Sequence, residues 1–222
     1  MKNTIASKYF RIEFDDEMKS VRIMPDWVFI KSIPQFAVLE QTLQSPKWHS
    51  EGENVIDHVR LCVNSACDYF SSRSRYGEFD ESTIYTIMLA VLFHDIGKGA
   101  CTFFNKEKGT WSSPKHAEVG EEITKKLLKD EDEDLVEIIC WFVKNHMKPL
   151  EIYDSNRPIK ELIKLSNTSP NIKFCTIENL LKLKECDCKG AKMKEYDGWR
   201  EKIDFLKNIA IKYKCYNKPY DL

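Results

Sequence analysis

No uninterrupted apolar run in this 222-residue chain is long enough to cross a bilayer. The longest, "IYTIMLAVLF" from Ile84 to Phe93, falls far short of the ~20 residues that a spanning helix needs. Neither charge is in excess. The 34 Lys and Arg are opposed by 35 Asp and Glu, so no global field draws the chain to nucleic acid or to a membrane, and only a local basic groove stays open. The opening "MKNTIASKYFRIEFDD" turns acidic where a secretory signal would be apolar, which argues for the cytoplasm. No C-x-x-C pair occurs among the eight cysteines. Cys62, Cys67, Cys140 and Cys175 sit inside apolar helical patterns, and Cys186 and Cys188, two residues apart, point different ways on a helix. Reduced thiols are expected, not a disulfide framework. Internal repeats, low-complexity segments, H-E-x-x-H, zinc-finger cysteines and DNA-binding motifs are also absent.

What is present is helical periodicity. Apolar residues recur every three or four positions over 55–70, 82–94, 115–129, 135–146, 159–165, 175–188 and 197–214, which predicts an all-α bundle of about seven helices. Asp80-Glu-Ser-Thr, Ser112-Ser-Pro-Lys and Asp130-Glu-Asp supply start signals, and Pro158 suits a first turn. Gly97 and Gly99 are stop residues. Residues 1–45 are consistent with one or two short helices or a small hairpin. The segment 101–113 reads as an exposed loop pinned by Phe103, Phe104 and Trp111, in preference to a lid.

Polar groups interrupt the apolar faces. His58 lies on the inward stripe with Val55 and Cys62, and His94 and Asp95 end the most apolar helix. His116 aligns with Val119 and Ile123, His146 with Phe142 and Ile139, and Asp187 with Ile177, Leu180 and Leu183. Taken singly, such a histidine is most often a hydrogen-bonded core residue and such an aspartate a cap or ion-pair partner. Taken together, burying them without a counter-charge costs several kcal/mol per ion. A divalent cation offsets that cost, and imidazole nitrogens with carboxylate oxygens are what an open transition-metal site uses.

The order His58 … His94-Asp95 … Asp187 resembles the H…HD…D signature of the HD-domain metal-dependent phosphohydrolases. "LFHDIGK" looks like their central motif, and His116 in "KHAEVG" and His146 in "VKNHM" match two further histidines that many members carry. "WHSEGENVIDH" is similar to the segment leading into HD domains of bacterial CCA-adding tRNA nucleotidyltransferases and related RNA-repair proteins. The resemblance covers roughly residues 36–192 and implies an HD domain over 46–192. An extension, 1–45, would pack on it, and a C-terminal helix in 193–222 would complete the bundle. The first glycine is Gly52, so no glycine-led nucleotidyltransferase motif precedes this region, and there is no G-x-x-x-x-G-K-[ST] loop of a fused kinase. Gly-Tyr-Pro does not follow the HD pair, which argues against the cyclic-dinucleotide branch.

The resemblance implies that His58, His94, Asp95 and Asp187 hold one divalent ion, with Asp95 bridging to a second at His116 and His146. Mn, Fe, Ni, Co, Zn and, less well, Mg suit such ligands. Asp95 and Lys98 are the catalytic candidates, Lys98 as the point charge for a phosphoryl oxygen. His49, Glu51 and Lys98 are the substrate-side or supporting candidates. Gly97 and Gly99 either let phosphate approach the backbone or simply end the helix. Arg73, Arg75, Lys182, Lys184, Lys189, Lys192 and Lys194 form either a basic rim for RNA or a solvated face. The implied activity is hydrolysis of a nucleotide or RNA-end phosphoester, as a phosphomonoesterase or 2′,3′-cyclic phosphodiesterase. A small-nucleotide hydrolase acting on nucleoside monophosphates or an alarmone is the nearest variant. The alternative is a non-catalytic helical module that binds RNA or protein around a structural metal.

Overall fold

In the computed structural model, residues 6–72, 76–172, 174–191 and 198–216 are described. A helical turn, α1 (Ala6–Tyr9), leads into a hairpin of β1 (Phe10–Asp15) and β2 (Ser20–Pro25), antiparallel with Phe10 opposite Pro25 and Asp15 opposite Ser20. Strand alternation buries Val21 and Ile23 and leaves Arg22 outside. The helix α2 (Trp27–Ser32) starts where the Asp26 carboxylate accepts the Phe29 amide at 2.9 Å. Pro34 opens α3 (Pro34–Ala37), followed by a 3-10 turn at Val38–Glu40. A hairpin and short helices thus occur together at the N-terminus. Phe10, Ile30, Phe36 and Leu39 join the same apolar core as the longer helices, with Phe36 edge-on to Phe93 at 5.1 Å.

The bundle follows as α4 (Val55–Ser71), α5 (Glu81–Phe93), the short α6 (Lys98–Cys101), and, after a second hairpin, α7 (His116–Leu127) and α8 (Glu133–Asn145). Then come α9 (Lys148–Tyr153), α10 (Pro158–Thr168), α11 (Ile177–Gly190) and α12 (Gly198–Lys212). All seven helices expected from periodicity are present, within a few residues at each end. The caps are local. Asp80 accepts the Thr83 amide at 2.7 Å, Asp132 the Leu135 amide at 3.2 Å and Thr176 the Asn179 amide at 3.1 Å. The six-residue α9, too short for a periodic signal, was not anticipated.

Residues 101–113 depart from the expected pinned loop. They form a hairpin of β3 (Phe103–Asn105) and β4 (Thr110–Ser112), with Phe104 opposite Trp111. Phe103 and Phe104 are each about half exposed, so they do not anchor it in the core. Phe104 packs instead on Trp111 across the hairpin, ring centres 5.4 Å apart. The physical reason is strand-favouring Thr and aromatic residues on either side of a turn in which Gly109 adopts φ +61°.

Helix α5 is apolar on every side, so it takes the centre, with α4, α8 and α11 packed around it. Met88, Leu89, Leu92 and Phe93 are fully buried, each contributing about 1.5–3 kcal/mol of transfer free energy. The stretch Glu81–Cys101 is long and apolar enough to cross a membrane by composition alone, yet 78% of its most apolar window is buried inside this fold. Three glycines allow close packing beside it. A Cβ on Gly97 would lie 2.0 Å from the His116 carbonyl oxygen and 2.5 Å from the Gly120 nitrogen, and one on Gly190 would lie 2.4 Å from the Cys62 sulfur. Gly97 therefore seats the turn after α5 on α7, and Gly99, whose Cβ would meet Val38 at 2.5 Å, backs onto the 3-10 turn. Both serve close packing of the chain on itself.

Candidate metal centre

Five helices deliver their polar residues to one place. His58 comes from α4, His94 and Asp95 directly follow α5, His116 opens α7, His146 follows α8 and Asp187 sits on α11. All are buried except His116, which is partly so. Asp187 Oδ1 is 3.0 Å from His58 Nε2 and 3.8 Å from His94 Nε2. Asp95 Oδ2 is 3.6 Å from His58 Nε2 and 3.4 Å from His94 Nε2. Its other oxygen, Oδ1, is 3.4 Å from His116 Nε2 and 3.7 Å from His146 Nε2. Asp95 thus faces two half-sites, one through each oxygen.

The outward edges of the four imidazoles fix their tautomers. Nδ1–H of His94 donates to the Val91 carbonyl at 2.7 Å, that of His146 to Val143 at 2.7 Å and that of His116 to Ser113 at 2.8 Å. His58 Nδ1 is 3.0 Å from the Glu51 carboxylate. With Nδ1 committed as donor, each ring turns its Nε2 lone pair inward when it is neutral. Yet His116 Nε2 and His146 Nε2 are 3.1 Å apart, and His58 Nε2 and His94 Nε2 3.4 Å apart. Lone pairs that close repel unless a proton or a metal ion lies between them. Around His94 the position favours positive charge, because against the opposing effect of burial Asp95 lifts the imidazole to about 10. At the other half-site a proton is disfavoured. Burial lowers His116, and burial with the His116 charge drives His146 well below the usual imidazole range. A divalent metal ion fits this set of nitrogen and oxygen donors.

Two buried lysines hold the carboxylates ionised. Lys98 Nζ is 2.7 Å from Asp95 Oδ2 and Lys184 Nζ is 2.6 Å from Asp187 Oδ2. Burial opposes ionisation of both acids, but Lys98 and His94 keep Asp95, and Lys184 and His58 keep Asp187, well below the usual carboxylate range. Lys98 is thus buried and paired, not a solvated lysine at a helix end. Lys182, paired with Glu178 at 2.7 Å, and Lys184 are buried, so neither belongs to a basic rim. Arg73, Arg75, Lys192 and Lys194 lie outside the described residues, and Lys189 is exposed.

Glu51 has no exposed side-chain surface and accepts from His49 Nδ1 at 2.8 Å as well as from His58. Its place is at the outer edge of the His58 ring, which it orients. His49 packs on His58, ring centres 4.7 Å apart, and its Nε2 is 3.5 Å from Lys98 Nζ. Cys62 is a sulfur neighbour that periodicity placed on the same stripe without assigning it a role. Its Sγ is 3.4 Å from His58 Nε2 but also 3.7 Å from Nδ1, which puts it beside the ring and not ahead of the Nε2 lone pair. The thiol also lies 3.7 Å from the Asp187 carbonyl oxygen. Sequence reasoning gave Lys184 no role at Asp187; the i, i+3 spacing Lys-x-x-Asp on a helix was the available signal. The centre opens on a cleft of about 640 Å³ whose walls include His49, Asp95, Lys98, His116, His146 and Asp187.

Residues 55–183 match the HD domain family, more than half of the chain, and the protein belongs to that family. Asp187 lies just past the matched segment and enters the same cluster in space. A search of the curated proteins finds no match to the chain. HD domains form a superfamily of metal-dependent phosphohydrolases, so the family and the donor set point to the same class of chemistry.

Proposed function

We propose that this protein hydrolyses a phosphoester of a nucleotide or an RNA end, as a phosphomonoesterase or 2′,3′-cyclic phosphodiesterase, with one or two divalent ions. The observation that carries the reading is the inward convergence of four Nε2 atoms on Asp95, with both Nε2–Nε2 separations too short for neutral imidazoles alone. His58, His94, Asp95 and Asp187 would hold one ion, and Asp95, His116 and His146 a second. A divalent ion supplies an acidified water and an electrophile for a phosphoryl oxygen.

The remaining work falls to the protein. Glu51 and the carbonyls of Val91, Ser113 and Val143 hold each Nδ1 proton outward, so the ligand geometry is set before substrate arrives. Lys98 neutralises Asp95 and lines the cleft, where its ammonium binds a non-bridging phosphoryl oxygen and takes up charge in the transition state. His49 lies beside Lys98 and limits the directions its ammonium can take.

The test is metal content by elemental analysis together with hydrolysis of bis-p-nitrophenyl phosphate, on the wild type and Asp95→Ala. Bound metal and turnover that chelation abolishes, with a loss of at least ~100-fold in the variant, support the reading. Absence of turnover across a divalent-ion screen, with RNA or a protein partner still bound, overturns it in favour of a binding module.

A further inference from the structure

Two aromatic side chains stand partly exposed at the mouth of the metal cleft, with the Lys47 ammonium 4.8 Å over the Trp48 ring. Trp48 is 52% exposed and Phe103 is 48% exposed, and both line the same 640 Å³ cavity as Asp95, Lys98 and His146. Aromatic side chains lining a cleft beside a few convergent polar groups are a common feature of ligand sites. The cavity is of the size that takes a small organic ligand, ~300–1,000 Å³.

The two aromatic walls are tied to each other and to the centre. Thr110, at the start of β4, donates from Oγ1 to Ser45 Oγ at 2.7 Å, which fastens the β3–β4 hairpin to the turn that carries Trp48. That turn is closed by the amides of Trp48 and His49, which donate to the Ser45 carbonyl at 3.1 and 3.0 Å. His49, the next residue after Trp48, reaches Lys98 and packs on His58. Trp48 is therefore held one residue from the phosphate-facing lysine's neighbour. Gln44, which lines the same cavity and is 6% exposed, donates its amide to the Gly52 carbonyl, while its carbonyl Oε1 has no partner. A buried acceptor without a donor is costly.

We infer that Trp48 and Phe103 form a nucleobase subsite, on which the base of a nucleotide stacks while its phosphate lies at Lys98 and the metal centre. The inference rests on the phosphohydrolase reading for the position of the phosphate and narrows it to substrates that carry a base beside the scissile ester. Stacking tolerates any base, because each offers a π-face. Free nucleotides and RNA ends share this chemistry.

The test uses the full chain and isothermal titration calorimetry. AMP is compared with ribose 5-phosphate, which keeps the sugar and phosphate and lacks the base, on the wild type, Trp48→Ala and Phe103→Ala. The expected result is at least ~tenfold tighter binding of AMP in the wild type, lost in both variants, with ribose 5-phosphate affinity unchanged. An arm with a short oligoribonucleotide ending in a 3′-phosphate separates the two sources. Tighter binding than AMP, equally dependent on Trp48, assigns the subsite to RNA ends, and no gain over AMP assigns it to free nucleotides. Equal affinity for AMP and ribose 5-phosphate in the wild type, or an equal loss for both in the variants, overturns the subsite. The two readings fail separately. Metal-dependent turnover without base preference sinks only the subsite, and base-dependent binding without turnover sinks only the hydrolase.

Discussion

Glu51 touches no substrate surface, yet it should control how tightly the centre holds its ion. Its carboxylate accepts from His58 Nδ1 at 3.0 Å and from His49 Nδ1 at 2.8 Å, both within a buried environment. A hydrogen bond to a charged group of this kind contributes about 1.5–3 kcal/mol. Loss of a carboxylate behind a metal-binding histidine typically weakens metal affinity 10–100-fold, or about 1.4–2.7 kcal/mol, so the two magnitudes agree. Glu51→Ala leaves the His58 Nδ1–H unpaired and frees the ring to turn, and should fall at the upper end. Glu51→Gln keeps the size and one carbonyl acceptor without the charge, and should fall near the lower end. The assay is competition for Zn²⁺ or Co²⁺ against a chromophoric chelator, with a thermal melt of each metal-free variant to show that it folds. A folded Glu51→Ala protein that binds metal with wild-type affinity would refute the reasoning, because His58 would then owe its orientation to something else.

Other consequences follow from the same geometry. Gly97→Ala drives a methyl into the His116 carbonyl and the Gly120 amide, backbone atoms that cannot yield cheaply, and should lower stability in urea by about 1–3 kcal/mol or more; an unchanged midpoint would contradict the close approach. Lys184→Met leaves Asp187 buried with His58 as its remaining hydrogen-bond partner and should destabilise the metal-free protein by up to about 3–5 kcal/mol, with a smaller loss once metal is added; equal shifts in the two melts would argue against a shared counter-charge role. Against the effect of burial, hydrogen bonds from His49 and His58 bring the Glu51 carboxyl from 4.5 down to about 2. The stability it confers is therefore complete above the unfolded value and is lost as pH falls towards 2, so Glu51→Gln should flatten the acid limb of stability against pH. All eight cysteines are thiols, and burial raises the two partly buried ones, Cys101 and Cys67, the latter to about 12, so alkylation at pH 8 should be slow in the native state and reach eight groups only on unfolding, followed by mass spectrometry.

The parts of this structure that sequence made legible are those written in local periodicity. The six polar positions on inward faces could be picked out because helical spacing places a residue on a face regardless of what lies opposite. The hairpin at residues 103–112 was hidden because three-residue strands give too short an alternation, and aromatic content reads the same in a pinned loop as in an exposed ladder. Lys184 and Glu51 were illegible in their roles for a different reason. A lysine at i, i+3 from an aspartate on a polar-looking stretch reads as solvated, and only the packing of α11 against α4 and α5 removes the solvent. The direction of Glu51 depends on the loop 44–54, where the chain has no period to read.

One local rule explains why so costly a pair as His94-Asp95 follows the most apolar helix. The last carbonyls of a helix lack the amide that would pair with them further along. A histidine placed just past the helix can reach back to the carbonyl three residues earlier, as His94 does to Val91 after α5 and His146 to Val143 after α8. Each bond satisfies an orphan carbonyl and at once commits Nδ1 as the donor, which turns the Nε2 lone pair away from the helix and into the space between helices. The aspartate that follows His94 is carried into the same space, where Lys98, three residues further on, neutralises it. A helix end buried in an apolar core would otherwise be a defect. Here it places a rigid, dehydrated nitrogen and a carboxylate oxygen side by side, facing the space between the helices.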